Sequence, residues 1–260
     1  MTTEIFVINL EKDVARRESI TRQLETLGLR YQIVAGVYGA AMSAEERAQH
    51  YDDRKAKWRM ARSLVPAEIG CALSHLNVYR KIVERDMGCA LILEDDVVLP
   101  ADLGSLLGDC ERVLDPRRPE VWLLSPAEGD ATASDARGVR QGQLVLPYMD
   151  GFYASSYIVT CPAARSLLAE LYPVGDVADC WKRMSRYRVV DLFVVAPPAI
   201  CQDQVAFGSS TTADYHQANR RDRVGWLVYK ARRARSILWD LLYAPYRRWL
   251  RPYAGVNVPH

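Results

Sequence analysis

Apolar and polar positions divide this chain into short continuous runs and stretches of helical period. Ile5–Leu10 is a mostly apolar run, the pattern of a strand covered on both faces. Val14, Ile20, Leu24 and Leu27 then recur at helical spacing. Asp13 is positioned to cap that helix and Gly28 to stop it. Tyr31–Ala35 predicts a second strand, so the chain opens strand–helix–strand, the start of an α/β sheet. Residues 43–65 mix both charges and predict a mobile loop or a short exposed helix. Pro66 suits the first position of the next helix. Ile69, Leu73, Leu76 and Val83 form its apolar stripe, and Gly88 is expected to end it. Further on, Leu103–Leu114 and Ala163–Leu171 predict helices. Val121–Leu124, Leu144–Leu146, Tyr157–Thr160 and Val189–Val195 predict strands, and residues 125–142 a variable loop.

The most informative run is Cys89–Leu93, which ends in Glu94, Asp95 and Asp96. It predicts a buried strand of a parallel sheet, and ligands of open α/β sheets bind beyond the carboxyl ends of such strands. Neighbouring carboxylates repel by about 1 kcal/mol at about 4 Å in water, and by about 4 kcal/mol at an effective dielectric near 20. A divalent cation, Mg²⁺ or Mn²⁺, offsets that repulsion when carboxylates and substrate phosphates share it. The alternative is a solvated acidic turn.

Other residues carry candidate chemistry. Arg16 and Arg17 fall in the first turn of a helix, where cations oppose the dipole by about 0.3–1 kcal/mol each. Either a bound phosphate compensates, or Arg16 pairs with Asp13 or Glu18. Glu68, Cys71 and His75 share one side of the helix after Pro66, with Ser74 adjacent. His75 is either a ligand to a nucleotide or acceptor hydroxyl, or a satisfied, partly buried histidine. Asp176 and Asp179 lie beyond Pro173, and Asp191 and Asp203 compete with them for any general-base role.

Composition narrows the classes. Hydrophobic content of 49% and charged content of 25% describe an ordinary globular chain of 260 residues. No cysteine pair has CxxC spacing, which argues against a zinc site or a disulfide framework and for a reducing compartment. The N-terminus has neither the basic region nor the apolar stretch of a signal peptide, and no run is long enough to span a bilayer. A cytoplasmic protein is expected. The net charge of +2 conceals an asymmetry. Between Arg220 and Arg251 stand ten Lys/Arg and only two acids, interleaved with Trp226, Trp239, Trp249 and three tyrosines. This pattern suits an anionic membrane surface, on the inner face, better than nucleic acid. The alternative is that the aromatics pack on the main domain. Pro245 predicts a helix to about Tyr243 and a shorter basic segment after it.

Three spaced motifs resemble glycosyltransferase family 25. They are Asn9-Leu10 followed by Arg16-Arg17, Pro66-x-Glu68-Ile69-Gly70-Cys71-x-x-Ser74-His75, and Leu91-Ile92-Leu93-Glu94-Asp95-Asp96-Val97. The resemblance covers about residues 4–100 strongly and 145–210 more weakly, through Tyr153–Val159 and Pro197–Asp203. That family includes lipooligosaccharide and lipopolysaccharide glycosyltransferases and animal collagen galactosyltransferases. The resemblance implies a GT-A-like α/β fold over residues 1–215; the charge and aromatic pattern, not the resemblance, marks 216–260 as a basic, amphipathic helical tail. The resemblance also implies a UDP-sugar donor and inverting transfer to a glycan or glycolipid. Asp96 with Glu94 would take the divalent cation. Asn9, Arg16, Arg17, Ser74, His75, Glu94 and Asp95 would hold the nucleotide sugar. The family often shows two aspartates four residues apart after a proline. Here the second matches Asp179, while the first falls on Gly175, one residue from Asp176. Asp179 is therefore the first choice for general base and Asp176 the second. A protein or small natural-product acceptor, or a catalytically silent sugar-nucleotide binder, are the competing readings.

Overall fold

The first apolar run becomes strand β1 (Glu4–Asn9) because its apolar side chains find cover on both faces, with Glu4 exposed at its start. Ile5 and Val7 enter one hydrophobic cluster and Phe6 the other, on opposite faces of the sheet. In this computed structural model the described residues are 3–126, 136–140, 143–147, 153–203 and five tail positions. Those five, Leu227, Lys230, Ala231, Ala234 and Leu238, are helical and exposed. The predicted helix end at Tyr243, the boundary at residue 216 and the membrane-facing segment otherwise lie outside the described residues.

Helix α1 (Val14–Thr26) follows β1. Asp13 does not cap it with its side chain, contrary to expectation. The backbone carbonyl of Asp13 instead accepts from Arg17 N–H and from Asn9 Nδ2, both at 3.1 Å. Gly28, at φ +64°, ends the helix as expected: Gly28 N–H bonds Glu25 O and Leu29 N–H bonds Leu24 O. Strand β2 (Gln32–Ala35) comes next. The charged stretch then forms two helices, α2 (Ala44–His50) and α3 (Asp53–Met60). Ser43 and Asp52 supply their N-caps, a local signal that the mixed charge pattern concealed.

Helix α4 (Pro66–Glu84) begins at Pro66. It stops at Asp86, at φ +47°, two residues before the expected Gly88. A short 3₁₀ turn, Gly39–Ala41, lies against its N-terminal end. A Cβ on Gly70 would stand 2.4 Å from Val37 O, and one on Gly39 1.7 Å from Pro66 O. The glycine of the second motif therefore permits backbone contact between loop and helix.

The remaining elements are β3 (Cys89–Glu94), β4 (Val97–Val98), α5 (Leu103–Val113), β5 (Glu120–Leu123), β6 (Arg137–Arg140) and β7 (Gln143–Pro147). They continue with β8 (Ser156–Thr160), α6 (Cys161–Leu171), α7 (Trp181–Arg186), β9 (Asp191–Ala196) and β10 (Cys201–Gln202). Strand β6 falls within the stretch expected to be loop. It is built by pairing with β7, which local pattern does not reveal.

Eight strands form one sheet in the order β2-β1-β3-β8-β5-β9-β7-β6. The sheet is mixed. β3 runs parallel to β1, with Val7 opposite Leu93, and antiparallel to β8, with Ile92 opposite Tyr157. The expected parallel environment thus holds on one side of β3 only. Helices α4, α6 and α7 cover the face of Phe6, Ile92 and Tyr157. Helices α1 and α5 cover the face of Val7, Leu91 and Trp122. The chain leaves β1 through α1 to reach β2 on one side, then returns through α4 to β3 on the other. The carboxyl ends of β1 and β3 therefore flank a topological switch point, the place where open α/β sheets bind ligands.

Candidate active site

Glu94, Asp95 and Asp96 stand at that switch point, at the end of β3. Asn9, the last residue of β1, donates from Nδ2 to Asp95 Oδ2 at 2.7 Å. The same amide nitrogen donates to Asp13 O, so Asn9 ties the acidic turn to the start of α1. Arg16 projects from the first turn of α1 and reaches both acids: Nη1 is 3.3 Å from Asp95 Oδ1 and 3.4 Å from Asp96 Oδ2. Arg17, expected beside it, pairs with neither. Gln202 of β10 approaches Asp96 Oδ1 at 3.5 Å, and Asp203 N–H donates to Asp96 O at 2.7 Å. Burial pushes the Asp95 carboxyl above its ordinary range, against the Asn9 and Arg16 contacts. Burial does the same to Asp96, and the Glu94 charge adds to it. The three acids are adjacent, Asp95 buried and Glu94 and Asp96 partly exposed, with Arg16 as the cation that reaches Asp95 and Asp96.

Glu94 also faces a second group. His75 Nε2, on α4, lies 3.4 Å from Glu94 Oε1. The histidine is 1% exposed, and that nitrogen has no hydrogen-bond partner. On its other side Nδ1 bonds Tyr157 Oη at 2.8 Å, and Tyr157 Oη bonds Tyr79 Oη at 2.7 Å. Cys71, one helical turn before His75, completes a cluster in which the sulfur, nitrogen and oxygen lie within 4.8 Å of one another. Asp179 belongs to the same neighbourhood. Its Oδ2 accepts from Tyr153 N–H at 3.3 Å. Burial raises its carboxyl above the ordinary value, and Glu94 raises it further.

The structure separates the remaining candidates from these groups. Asp176, 3% exposed, accepts from Arg183 Nε, and Arg183 also pairs with Glu170 at 2.9 Å. Its carboxylate is thus engaged in an ion network that joins α6 to α7. Ser74 donates to Gly70 O at 2.7 Å and accepts from Val37 N–H at 2.8 Å, so its hydroxyl ties the loop after β2 to α4. Glu68 bonds Val65 N–H at 3.0 Å and grips Arg62 with both oxygens, at 2.8 and 2.6 Å. Asp191 begins β9, at the amino end of a strand that runs in the same sense as β3 and so away from the acidic turn, and pairs with Arg118 at 2.7 Å. Sequence reasoning missed Tyr79, Tyr157 and Gln202. It also missed the buried hydroxyls of Ser125, Ser155 and Ser156, which lack partners among the described residues. Tyr157 and Ser156 gain their places from the pairing of β8 with β3, Tyr79 from the packing of α4 on that sheet and Gln202 from the pairing of β10 with β4, contacts between distant segments that leave no local signal.

Glu94, Asp95 and Asp96 offer oxygen ligands, the type that hard divalent cations such as Mn²⁺ or Mg²⁺ prefer. Their carboxylates are not drawn together as a ready-made set: among the described residues, the three side chains whose ligand atoms converge are Cys71, His75 and Glu94.

Comparison with known proteins gives a consistent picture. The profile described as glycosyltransferase family 25 (LPS biosynthesis protein) matches residues 2–181. Procollagen galactosyltransferase 1-B of Xenopus laevis is 33% identical over 190 residues, 67% of this chain and 29% of that protein. Procollagen galactosyltransferase 1-A of the same species is 34% identical over 116 residues, 42% of this chain and 19% of that protein. A glycosyltransferase 25 family member of Anopheles gambiae is 25% identical over 214 residues, 75% of this chain and 36% of that protein. The chain thus spans less than two-fifths of the length of these relatives. A solved glycosyltransferase involved in glycosylation of the major capsid of PBCV-1 aligns at 12% identity with a TM-score of 0.37. That alignment covers 83% of this chain and 98% of the other, at a similarity too low to carry an argument.

Proposed function

The chain belongs to glycosyltransferase family 25, and on that premise we propose that it transfers a sugar from a UDP-sugar to a hydroxyl of a glycan or glycolipid acceptor, with inversion. Galactose is the sugar named by the relatives. The observation that carries the reading is the acidic turn at the β1/β3 switch point, flanked by Asn9 and Arg16. In a GT-A-like site this turn faces the donor diphosphate.

A divalent cation held by Asp96 with Glu94 supplies, when bound, positive charge to the diphosphate leaving group. The chain's own residues do the rest. Arg16 meets the donor phosphates from the first turn of α1, where the helix dipole also favours an anion. Its links to Asp95 and Asp96 orient the guanidinium before the donor arrives. Asn9 keeps Asp95 and the helix start in register. Asp179 accepts the acceptor hydroxyl's proton as that oxygen bonds the anomeric carbon. The nucleoside diphosphate leaves with the electron pair of the broken bond. Asp179 suits this role better than Asp176, because its raised proton affinity strengthens it as a base. Asp176 is engaged by Arg183.

Hydrolysis and transfer across a panel of UDP-sugars, with Mn²⁺, Mg²⁺ or EDTA, test the reading. Cation-dependent turnover of UDP-galactose is the expected result. Turnover indifferent to EDTA would overturn the role of the acidic turn, and donor binding without turnover on any acceptor would favour a silent binder. The basic, aromatic tail supports a second element of the proposal, attachment to an anionic membrane at the cytoplasmic face. Flotation with anionic liposomes should fall when residues 220–260 are removed, and unchanged flotation would refute attachment through the tail.

A further inference from the structure

Cys71 and His75 are four residues apart on α4, so their side chains rise from one face of the helix. Glu94, at the end of β3, meets them from the sheet. The three offer one sulfur, one nitrogen and one oxygen within 4.8 Å of one another. A helical pair at i and i+4 with a third ligand from another element is a common way to assemble three protein ligands and leave a fourth position open. Carboxylates alone would suggest a hard cation, but a thiol and an imidazole select borderline or soft ions.

The histidine carries the second, independent observation. Its Nε2 is buried, unpartnered and directed into the cluster. Its Nδ1 is fixed by Tyr157 Oη, which is itself fixed by Tyr79 Oη. Histidines that ligate metals use their second nitrogen in this way, to set ring orientation and tautomer. When Nδ1–H donates to Tyr157 and Tyr157 donates to Tyr79, Nε2 presents its lone pair to Cys71 and Glu94. The arrangement needed for a ligand is already held by two buried tyrosines.

We propose that Cys71, His75 and Glu94 form a site for a borderline divalent ion such as Zn²⁺, distinct from the oxygen ligands of the acidic turn. The expectation against zinc rests on the absence of CxxC spacing and on the scarcity of histidine, whereas this site needs one cysteine and one of the four histidines. Glu94 belongs to both groups, so one carboxylate serves whichever ion is present. The site stands on geometry and does not depend on the transfer reaction.

Cobalt spectroscopy of the metal-free full chain tests it without any activity readout. One equivalent of Co²⁺ should produce a thiolate-to-cobalt charge-transfer band in the near ultraviolet, and Zn²⁺ should abolish it by displacement. Cys71→Ser should remove the band, while Asp96→Asn and Cys201→Ser should keep it. Tyr157→Phe should keep the band and weaken Co²⁺ affinity about 10–100-fold, the usual cost of losing the partner behind a ligand histidine. This variant reads the site should Cys71→Ser fail to fold. No thiolate band in the wild type, a band that survives Cys71→Ser, or unchanged affinity in Tyr157→Phe would each overturn the proposal.

Discussion

Two of the places where arginines meet carboxylates in this molecule are built in opposite senses. Between α6 and α7, Arg59 and Arg183 embrace Glu170, and Arg183 also holds Asp176. Lys55 adds a third cation through the Glu170 carbonyl at 3.0 Å. At the end of β3, Arg16 faces Asp95 and Asp96 while Glu94 stands beside them. The carboxyls respond accordingly. Burial works to raise Glu170, but the Arg183 hydrogen bond and the Arg59 charge overcome it and hold the group below its ordinary value. Asp95, Asp96 and Asp179 are pushed up, with burial the largest cause in each. The first cluster sets three cations against two carboxylates and joins α3, α6 and α7. The second has an excess of negative charge, three carboxylates facing Arg16, that a bound cation would relieve.

Four measurements would break or sharpen that contrast. Asp179→Asn should lower kcat about 10²–10⁴-fold, the usual contribution of a positioned base. Donor binding, read by calorimetry, should survive, and a variant of near wild-type kcat would remove Asp179 from the reaction. Arg183→Met should leave Asp176 buried without its partner and cost about 3–5 kcal/mol in urea unfolding. A loss under about 1 kcal/mol would put this network with ordinary surface pairs. Asp96→Asn should behave in the opposite way. Turnover should fall about 10²–10³-fold, yet the melting temperature should hold or rise, because one member of a repelling group is gone. A destabilised Asp96→Asn protein would mean that the acidic turn is structural.

The smallest effect concerns acid. Because the folded-state value of Glu170 is depressed, its contribution is fully present above the unfolded value. It is lost as pH falls through the folded one. The side chain is 34% exposed, so solvent screening keeps the effect to about 0–1 kcal/mol. Urea midpoints of wild type and Glu170→Gln should converge as the solution is acidified, and parallel curves would deny the linkage.

Hydrophobic runs and helical periods alone determined much of the architecture. Ile5–Leu10, Tyr31–Ala35 and Cys89–Leu93 had to be strands. The stripes of α1 and α4 had to be helices facing a sheet, because apolar spacing dictates which face is buried. The acidic turn was legible for the same reason, since a buried run that ends in three carboxylates marks where the sheet meets solvent. Gly70 and the three motifs were legible as pattern, though only the contact with Val37 O gives the glycine its physical cause. What folding decided was partnership. Nothing local distinguishes Asp176 from Asp179. Arg183, reaching back from α7, engages Asp176, whereas Asp179 has no such arginine among the described residues and stands near Glu94, whose charge adds to desolvation in raising it. Ser74 and His75 are adjacent in sequence, yet one serves the Val37 loop and the other faces Glu94. Tyr157 reaches His75 only because β8 lies beside β3. Local sequence sets propensity and burial, whereas charge balance and orphaned polar atoms depend on which distant strands and helices the sheet brings together.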